Sequence, residues 1–417
     1  MTTTSGGLEV HPHLAEDRPV VAIFREFLLN YNEPYIRDQG EALRRYQSHY
    51  FGVRHIKGID LPRERTLVLH NNTRVGRASE TVFKLFGVSP VLVGGLRRLR
   101  PALLHAHTGI GGAHVLPLAR RLQVPLVVTF HGYEVTATDE TLHRKRDLGR
   151  VFLRRREAMK REGRLFIAVS EFIRGRMLER GWPEDKTVVH YIGIDTERFR
   201  ADPAVPREPV VLFAGRLIET KGVAHLVAAM RIVQARVPEA ELVIAGKGPL
   251  QDDLERRVRE SGVRARFLGA LPPEEVRAWM NRARVFCMPS VTASGGTVEA
   301  LGNVSIEAQA MGLPVAGFRS GGIPEAVADG ETGLLAPEGD QAALAANIET
   351  LLTSGTLWSR LSAAGAPRVR ERFDLRRQTA ILEDLYDRAR GRPAAVRAPD
   401  RAAAAPAGHA WVTERSR

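Results

Sequence analysis

The stretch from residue 290 to residue 325 reads SVTASGGTVEALGNVSIEAQAMGLPVAGFRSGGIPE, and its pattern decides the fold. An apolar run at residues 285–288 precedes it and is typical of a buried parallel strand. After the glycines, an apolar helical pattern continues as far as a Gly-Leu-Pro sequence, which is a helix stop signal. Because Gly302 interrupts that pattern, the stretch predicts Glu299 on a loop and Glu307 in the first turns of a helix.

The two carboxylates of this stretch suit one kind of ligand. The free N–H groups at the helix N-terminus, near residues 301–304, form a natural seat for phosphate. A carboxylate one to two turns inside the helix can accept two hydrogen bonds from a vicinal diol, such as those of ribose and hexoses. We therefore predict that Glu307 holds the ribose and Glu299 the sugar of one nucleotide-sugar. The alternative is a pair of solvated carboxylates at a helix start, where the helix dipole favours acidic groups.

A second motif, Gly215-Arg216 followed by Lys221, comes directly after another apolar run. Glycine at the end of a strand lets a diphosphate approach the backbone, and the two cations can neutralise it, Arg as a planar fork and Lys as a point charge. The motif is weak evidence by itself and gains weight beside the carboxylate pair. Further along, Gly246 and the backbone around Leu271 are predicted to wall the nucleotide pocket.

The segments EALGNVSIEAQAMG (299–312), GGIPE (321–325) and ADGETGLL (328–335) together resemble the donor site of the retaining glycosyltransferases of family 4. The likeness extends from about residue 20 to residue 389 and includes features of the exopolysaccharide and colanic-acid type. The resemblance implies an α/β protein of GT-B fold, with two doubly wound Rossmann-like domains facing across a cleft. The second domain would bind the nucleotide-sugar donor, and the first would bind the acceptor.

The domain organisation follows from composition. The chain has 417 residues, enough for two domains, and a proline-rich segment without apolar periodicity separates its two strand–helix series. The predicted units are a disordered N-terminus at 1–17, an acceptor-binding domain at 18–200, a linker at 201–209, a nucleotide-sugar domain at 210–372, a helix returning to the first domain at 373–390, and a disordered tail at 391–417.

Composition also restricts the compartment and the partners. The single cysteine, Cys287, lies in an apolar strand, permits no intrachain disulfide and fits a reducing compartment. No signal-peptide core or long apolar run is present, so we expect a cytoplasmic protein or one on the cytoplasmic side of a membrane. Residues 18–200 carry 33 Lys and Arg against 19 Asp and Glu, whereas the net charge of the whole chain is +13. This field suits an anionic membrane surface or a pyrophosphate-linked acceptor; the alternative is a solvated arginine-rich face. No nucleic-acid-binding module is recognisable.

Apolar runs of the first half alternate with helical patterns, which predicts a parallel sheet with ligand groups at the carboxyl ends of its strands. The resemblance implies that His131 lies beside the reacting carbon of the donor sugar and that Ser170 caps a helix near the cleft. The alternatives are a structural histidine and a plain helix cap. The loop after the first strand lacks the Gly-Gly pair of many family members, and its Asn32-Glu33 is similar to the variant in exopolysaccharide-building members. The acceptor-side candidates are Asn32, Glu33, His107 and Ser170.

These patterns predict a metal-independent, retaining transfer of sugar from a nucleotide-sugar to a saccharide or polyprenyl-pyrophosphate-linked acceptor, with no cofactor. The alternative is a non-hydrolysing nucleotide-sugar 2-epimerase of the same architecture. An NAD-dependent dehydrogenase is disfavoured because no Gly-x-Gly-x-x-Gly follows the first strand. The predicted catalytic residues are His131, Arg216, Lys221 and Glu299. The predicted donor-binding residues are Gly215, Gly246, Leu271, Leu301, Gly302, Asn303, Val304 and Glu307.

Overall fold

The computed structural model of the protein describes residues 18–392 except residues 32, 71–73, 88 and 145. These residues form two parallel sheets, of seven and six strands, and a short two-stranded pair. The strands are β1 Val20–Phe24, β2 Phe27–Leu28, β3 Gln47–Gly52, β4 Arg54–His55, β5 Thr66–Val68, β6 Leu103–His107, β7 Leu126–Phe130, β8 Leu165–Ala168, β9 Thr187–Val189, β10 Glu208–Ala214, β11 Glu241–Ala245, β12 Ala265–Gly269, β13 Ala283–Met288, β14 Val315–Phe318 and β15 Gly333–Ala336.

Helices connect the strands of both sheets. They are α1 Pro34–Glu41, α2 Arg74–Phe86, α3 Pro90–Leu99, α4 Gly109–Leu122, α5 Tyr133–Thr136, α6 Asp139–Arg144, α7 Arg146–Glu162, α8 Glu171–Glu179, α9 Val223–Arg236, α10 Gln251–Ser261, α11 Pro273–Arg282, α12 Asn303–Ala310, α13 Ile323–Ala326, α14 Gln341–Thr353, α15 Gly355–Phe373 and α16 Leu375–Ala389.

In each sheet the strand order reverses beside the strand that comes first in the chain, which is β1 in one sheet and β10 in the other. The first has the order β5-β3-β1-β6-β7-β8-β9, and the second has the order β12-β11-β10-β13-β14-β15. Loops that leave neighbouring strands toward opposite sides open a crevice at the carboxyl edge of a parallel sheet. Residues that follow β1 and β6 therefore line one crevice, and residues that follow β10 and β13 line the other.

The core lies on both faces of each sheet because strand side chains alternate in direction. In β1, Ala22 and Phe24 belong to one apolar cluster, and Val21 and Ile23 belong to another. The second cluster includes Tyr386 of α16, so the C-terminal helix covers part of one face of the first sheet. The second sheet likewise divides its strand residues between two clusters.

The helix α16 also contacts the first domain through ion pairs. Arg45 Nη2 lies 2.6 Å from Asp384, and Arg45 Nη1 lies 2.7 Å from Asp387. Asp374 separates α16 from α15 and caps α16, because its side chain accepts a hydrogen bond from the N–H of Arg377 at 3.0 Å. The chain thus returns to the first domain after completing the second.

Two doubly wound parallel sheets confirm the predicted α/β fold class. Cys287 is buried in β13, and burial raises the pKa of its thiol. Across the described ranges, no helix has both the length and the hydropathy needed to cross a bilayer. The disorder predicted for 1–17, and for the tail beyond residue 392, falls outside the described residues.

Candidate active site

The candidate donor site is built around the start of α12. Gly302 precedes the helix with a φ of +88°, a conformation that glycine adopts readily, and Asn303 is the first helical residue. Glu299 lies in the loop before it, and Glu307 lies in the second turn. The first two helical N–H groups, of Asn303 and Val304, lack partners inside the helix by geometry. Asn303 Oδ1 is buried without a partner among the described residues.

Lys221 and Glu299 form an ion pair at this helix start. Lys221 ends a short 3-10 turn after β10, and its Nζ lies 2.5 Å from Glu299 Oε2. Both side chains are largely buried, with exposed fractions of 19% and 15%. Ser290 Oγ donates a second, longer hydrogen bond of 3.4 Å to the same carboxylate oxygen. A diphosphate bound at this helix start would therefore compete with the Glu299 carboxylate for the ammonium group of Lys221.

Close backbone contacts hold the loops of this site in place. A Cβ on Gly246, whose φ is +155°, would lie 1.8 Å from the carbonyl oxygen of Gly215. A Cβ on Gly322 would lie 1.9 Å from the carbonyl oxygen of Ala300. The N–H of Gly322 donates to the carbonyl of Glu299 at 2.9 Å, so the Gly-Gly turn before α13 supports the Glu299 loop.

Glu307 faces the first domain. Burial raises the pKa of its carboxyl group to about 7, and the cation of Arg198 only partly opposes that effect. Asp38 of α1 raises the pKa further, so α1 and α12 lie within electrostatic reach of each other across the cleft. A carboxyl group with this pKa is partly ionised near pH 7.

Arg216 is exposed directly after β10, and its charge also reaches α1. Burial raises the pKa of Tyr35 in α1, and the charges that act on that phenol include Glu33, Arg25 and, from the second domain, Arg216. The Tyr35 ring centroid lies 5.2 Å from that of His131. The cleft therefore brings candidate residues of both domains together.

A row of histidines leads from His131 into the first domain. His107 Nδ1 lies 3.1 Å from His131 Nε2, and the two rings are stacked with centroids 5.3 Å apart. The His105 ring centroid lies 4.5 Å from that of His107. The two His105 nitrogens lie 2.7 Å from the Tyr386 hydroxyl and 2.8 Å from Thr129 Oγ1. Because Tyr386 belongs to α16, the row links the C-terminal helix to the candidate catalytic histidine.

These imidazoles are neutral at pH 7. Burial lowers the pKa of His131 to about 3, that of His105 to about 3, and that of His107 well below its ordinary value. His107 Nε2 is buried and has no partner among the described residues. Since a buried N–H without a partner is rarer than a buried acceptor without one, we assign the His107 proton to Nδ1. His107 then donates to His131 Nε2, and His131 carries its proton on Nδ1.

We predict that His107→Phe lowers kcat by up to about tenfold and leaves the KM for the donor unchanged. The phenyl ring keeps the stacking, but the hydrogen bond that orients His131 is lost, and a neutral hydrogen bond contributes about 0.5–1.5 kcal/mol. Steady-state kinetics measure the effect. Tyr386→Phe is the matched control, because it removes only the bond to His105 and should lower the melting temperature without lowering kcat. A wild-type kcat in His107→Phe would contradict the assignment.

The second domain contacts the start of α8 in the first. Ser170 is fully buried, caps α8 by accepting from the N–H of Ile173 at 3.1 Å, and donates to the carbonyl of Ala300 at 2.7 Å. The Glu325 carboxylate accepts from the N–H groups of Glu171 at 2.7 Å and Phe172 at 2.8 Å. An anion at a helix N-terminus is stabilised by the free N–H groups and the helix dipole.

We predict that Glu325→Gln lowers the free energy of unfolding by about 1–3 kcal/mol, because the amide offers one acceptor oxygen where two now accept hydrogen bonds from the N–H groups of Glu171 and Phe172 and from the Tyr191 hydroxyl. Burial raises the pKa of this carboxyl group, so removal of the charge itself offsets part of the loss. Chemical denaturation measures the change. Glu331→Gln removes an exposed carboxylate six residues further along the chain, and it provides the control for the loss of charge alone. Equal stability of the two variants would show that the contact contributes nothing.

The acceptor-side candidates have unequal surroundings. Glu33 is buried, and its Oε1 lies 2.9 Å from Arg25 Nε and 2.6 Å from Arg25 Nη2. His107 and Ser170 are buried in the contacts described above, and Asn32 lies outside the described residues. Leu271 follows β12 and packs on a core cluster of the second domain. The structure thus places Glu33 directly before α1, paired with Arg25, and it places Ser170 in a hydrogen bond between the domains.

Sequence reasoning missed several polar residues of the cleft. Arg25 and Tyr35 lie beside Glu33 and His131, but the pattern of this loop singled out only Asn32 and Glu33. Glu134 is buried, accepts a hydrogen bond from the N–H of Gly109 at 2.5 Å, and has its pKa raised by burial. Its position shortly after a strand-ending His-Gly was the available signal. Across the described residues, no three His, Cys, Asp or Glu side chains gather as a metal site requires.

Comparison with known proteins bears on the same two halves of the chain. The profile of a family described as Glycosyltransferase Family 4 matches residues 34–198, and one described as Glycosyl transferases group 1 matches residues 208–354. The chain is 33% identical over 283 residues to the GDP-mannose-dependent alpha-(1-6)-phosphatidylinositol monomannoside mannosyltransferase of Mycolicibacterium smegmatis, a match that covers 64% of this chain and 72% of that one. It is 30% identical over 246 residues to the amylovoran biosynthesis glycosyltransferase AmsK of Erwinia amylovora, and this match covers 58% of each chain, less than two thirds of that relative's length.

Solved structures share the fold. The Anabaena protein HepE, in complex with UDP and glucose, superposes with a TM-score of 0.69 at 18% identity over 88% of this chain and 99% of that chain. Sucrose-phosphate synthase from Thermosynechococcus elongatus superposes with a TM-score of 0.70 at 24% identity over 88% of this chain and 98% of that chain. The two facing α/β domains are therefore those of a GT-B protein. The fold, the two matched family profiles and the mycobacterial relative together show that the chain belongs to family 4 of the glycosyltransferases.

Proposed function

We propose that the protein transfers a sugar from a nucleotide-sugar to a saccharide or polyprenyl-pyrophosphate-linked saccharide, with retention at the anomeric carbon and without a divalent metal or other cofactor. The reaction would serve the biosynthesis of an extracellular polysaccharide or glycoconjugate. The observation that carries the proposal is the grouping of Lys221, Glu299 and Glu307 around the N-terminus of α12.

The leaving group explains why cations are needed at this place. As the bond between the anomeric carbon and the phosphate oxygen breaks, the nucleoside diphosphate gains negative charge. Lys221, Arg216 and the N–H groups at the start of α12 are the positive groups that can stabilise it. Glu307, one turn further inside, would accept hydrogen bonds from the ribose diol, and Glu299 from the donor sugar.

The configuration at the anomeric carbon is retained if the acceptor attacks that carbon from the same side as the leaving group departs. The acceptor oxygen then forms its bond to the anomeric carbon as the phosphate leaves, and the proton of the acceptor hydroxyl passes to the departing phosphate. The neutral imidazole of His131 would orient the donor sugar by hydrogen bonding. A pKa of about 3 makes it unsuited to holding a proton as an acid at pH 7.

The acceptor is proposed on broader grounds. The basic charge of residues 18–200 suits a pyrophosphate-linked acceptor presented at the cytoplasmic surface of a membrane. Two similar proteins are named for amylovoran biosynthesis and for a phosphatidylinositol monomannoside, which supports a polysaccharide or lipid-linked acceptor.

A thermal-shift panel of UDP-, GDP- and dTDP-sugars tests the proposed donor. HepE was solved with UDP, and the mycobacterial relative depends on GDP-mannose, so both nucleotides belong in the panel. A ligand that binds the native state raises the melting temperature, by an increment that grows with its concentration relative to Kd. We expect one nucleotide class to stabilise the protein in the presence of a chelator. No stabilisation by any of them would overturn the proposal.

Donor consumption without acceptor separates transfer from 2-epimerisation. An epimerase needs no second substrate, so it would convert the donor alone, whereas a transferase would leave it intact apart from slow hydrolysis. We expect negligible conversion of the stabilising nucleotide-sugar until an acceptor fraction is added. Rapid formation of a 2-epimer would establish the alternative instead.

A further inference from the structure

The exposed large apolar side chains of the described residues are concentrated in one part of the first domain. Val82, Leu85 and Phe86 lie on α2 with exposed fractions of 50%, 38% and 64%, and Val91 lies on the second position of α3 with 52%. The only other one among the described residues is Tyr31, between β2 and α1. Exposed apolar patches of this kind on a soluble domain mark interaction sites. We name the surface formed by residues 77–86 and 90–100 the α2–α3 face.

The helical spacing makes this face continuous. Val82 and Phe86 are four residues apart and Leu85 is three from Val82, so all three project from the same side of α2. Phe83, about 100° around the helix from Val82, is fully buried in the core of the first domain. Phe86 ends α2 and Val91 is the second residue of α3, so the apolar side chains of the two helices flank their short connection.

The exposed charged side chains described on this face are all positive: they are Arg77, Arg97, Arg98 and Arg100. No carboxylate in the described part of the chain forms an ion pair with any of the four. The one acid, Glu80, is buried and pairs with Lys84 at 2.6 Å.

Cations of α7 lie against the same face. Arg154 and Arg155 donate to the carbonyl of Leu85 at 3.3 Å and 2.7 Å. Burial lowers the pKa of Arg155, and the neighbouring cations Arg154 and Arg120 lower it further. Among the described residues, no carboxylate forms an ion pair with Arg154 or Arg155, so their charges add to that of the α2–α3 face.

The inward side of α2, opposite its exposed apolar residues, contacts the segment after β1. Lys84 of α2 lies 3.0 Å from Glu26, which follows β1. The next residue back, Arg25, holds the acceptor candidate Glu33. Exposed Tyr31 lies two residues before Glu33, in the segment between β2 and α1. The helix α2 therefore lies between the α2–α3 face and the segment that carries the acceptor candidates.

We propose that the α2–α3 face docks the protein on a bilayer that contains anionic phospholipid, with Val82, Leu85, Phe86 and Val91 entering the headgroup region and the arginines contacting phosphates. Apolar side chains beside unneutralised cations are the combination by which peripheral helices bind such surfaces. A second copy of the chain is a poor occupant, because an isologous contact would set these arginines against their own copies. This docking rests on the proposed function in one respect: a polyprenyl-linked acceptor would be presented to the enzyme at the membrane surface.

Co-sedimentation of the full chain with vesicles tests the proposal. We expect the wild-type protein to bind vesicles that contain phosphatidylglycerol and not vesicles of phosphatidylcholine alone. Leu85→Ser/Phe86→Ser and Arg97→Glu/Arg98→Glu should each lower the partition coefficient by about tenfold or more, since each buried apolar group and each cation contributes to the affinity. Phe86→Leu should retain binding.

The matched control is Arg231→Glu/Arg259→Glu, which changes the net charge by the same amount on exposed positions of α9 and α10 in the second domain. An equal loss of binding in this control would overturn the proposal, because it would show attraction by net charge alone. Failure of the wild type to bind phosphatidylglycerol vesicles would also overturn it. So would conversion of a dimer to a monomer by Leu85→Ser/Phe86→Ser in vesicle-free ultracentrifugation, since a second copy would then cover the face.

Thermal stabilisation by the donor nucleotide, measured on the same variants, separates this inference from the proposed function. A wild-type protein that binds the donor nucleotide but not the vesicles would contradict membrane docking and leave the proposed sugar transfer intact. Vesicle binding without any donor binding would do the reverse.

Discussion

Lys221→Ala is expected to lower the turnover of the nucleotide-sugar by about 10²–10³-fold, the usual consequence of losing one group that stabilises developing charge. Lys221 Nζ lies 2.5 Å from Glu299 at the start of α12, where the departing diphosphate would lie. The side chain is largely buried, so its charge acts through little water. Steady-state kinetics with the donor identified by thermal shift measure the change.

A control is needed because the substitution also leaves the buried Glu299 without its counter-charge, which destabilises a fold. Lys221→Met/Glu299→Gln replaces the pair by neutral groups of similar shape and should recover much of the stability lost in Lys221→Ala. It should not recover turnover. Turnover that returns with stability would show that Lys221 serves the fold and not the reaction.

Glu307→Gln is expected to weaken donor binding by about tenfold to a hundredfold while making the free protein more stable at pH 8. A carboxylate can accept two hydrogen bonds from a diol, whereas the glutamine amide has one acceptor oxygen, and a hydrogen bond to a charged group contributes about 1.5–3 kcal/mol. Calorimetric titration with the donor and a melting curve of the free protein measure the two effects.

The pH dependence of Glu307 has a definite sign. Burial raises the pKa of the folded protein's carboxyl group from 4.5 to about 7. The stability it contributes is therefore complete below about pH 4.5 and is lost as the pH rises through about 7. Donor affinity should change the opposite way, falling as the pH decreases below 7, because the diol needs the ionised form. Both trends should vanish in Glu307→Gln, and a wild-type affinity that is flat from pH 5 to 8 would contradict the assigned role.

The fold was accessible from the sequence because its signals are local. Apolar runs in alternation with helical patterns predict parallel sheets, and both sheets are observed. The break at Gly302 was likewise readable: its φ of +88° places Glu299 on a loop and Glu307 on a helix, as the glycine predicts. Backbone conformation at one residue is decided by that residue and its neighbours, which a sequence displays.

Contacts between distant segments were not accessible in the same way. The partner of His105 is Tyr386, which is 281 residues away, and no periodicity connects a strand-end histidine to a C-terminal helix. The Gly-Gly-Ile-Pro-Glu motif was recognised, but the capping of α8 by Glu325 depends on how the two domains meet. The ion pair of Lys221 with Glu299 joins groups that the sequence predicted to contact different parts of the donor, since only the folded chain shows that they lie together.

The central claim is that cations and carboxylates of the second domain bind a nucleotide-sugar without a metal ion. Calorimetric titration of UDP, GDP and dTDP into the wild-type protein, in the presence of a chelator, tests it most directly. We expect one of the three to bind, and Arg216→Ala and Lys221→Ala each to weaken its binding by about tenfold or more. Binding that appears only after Mg²⁺ is added, or that neither substitution weakens, would contradict the account.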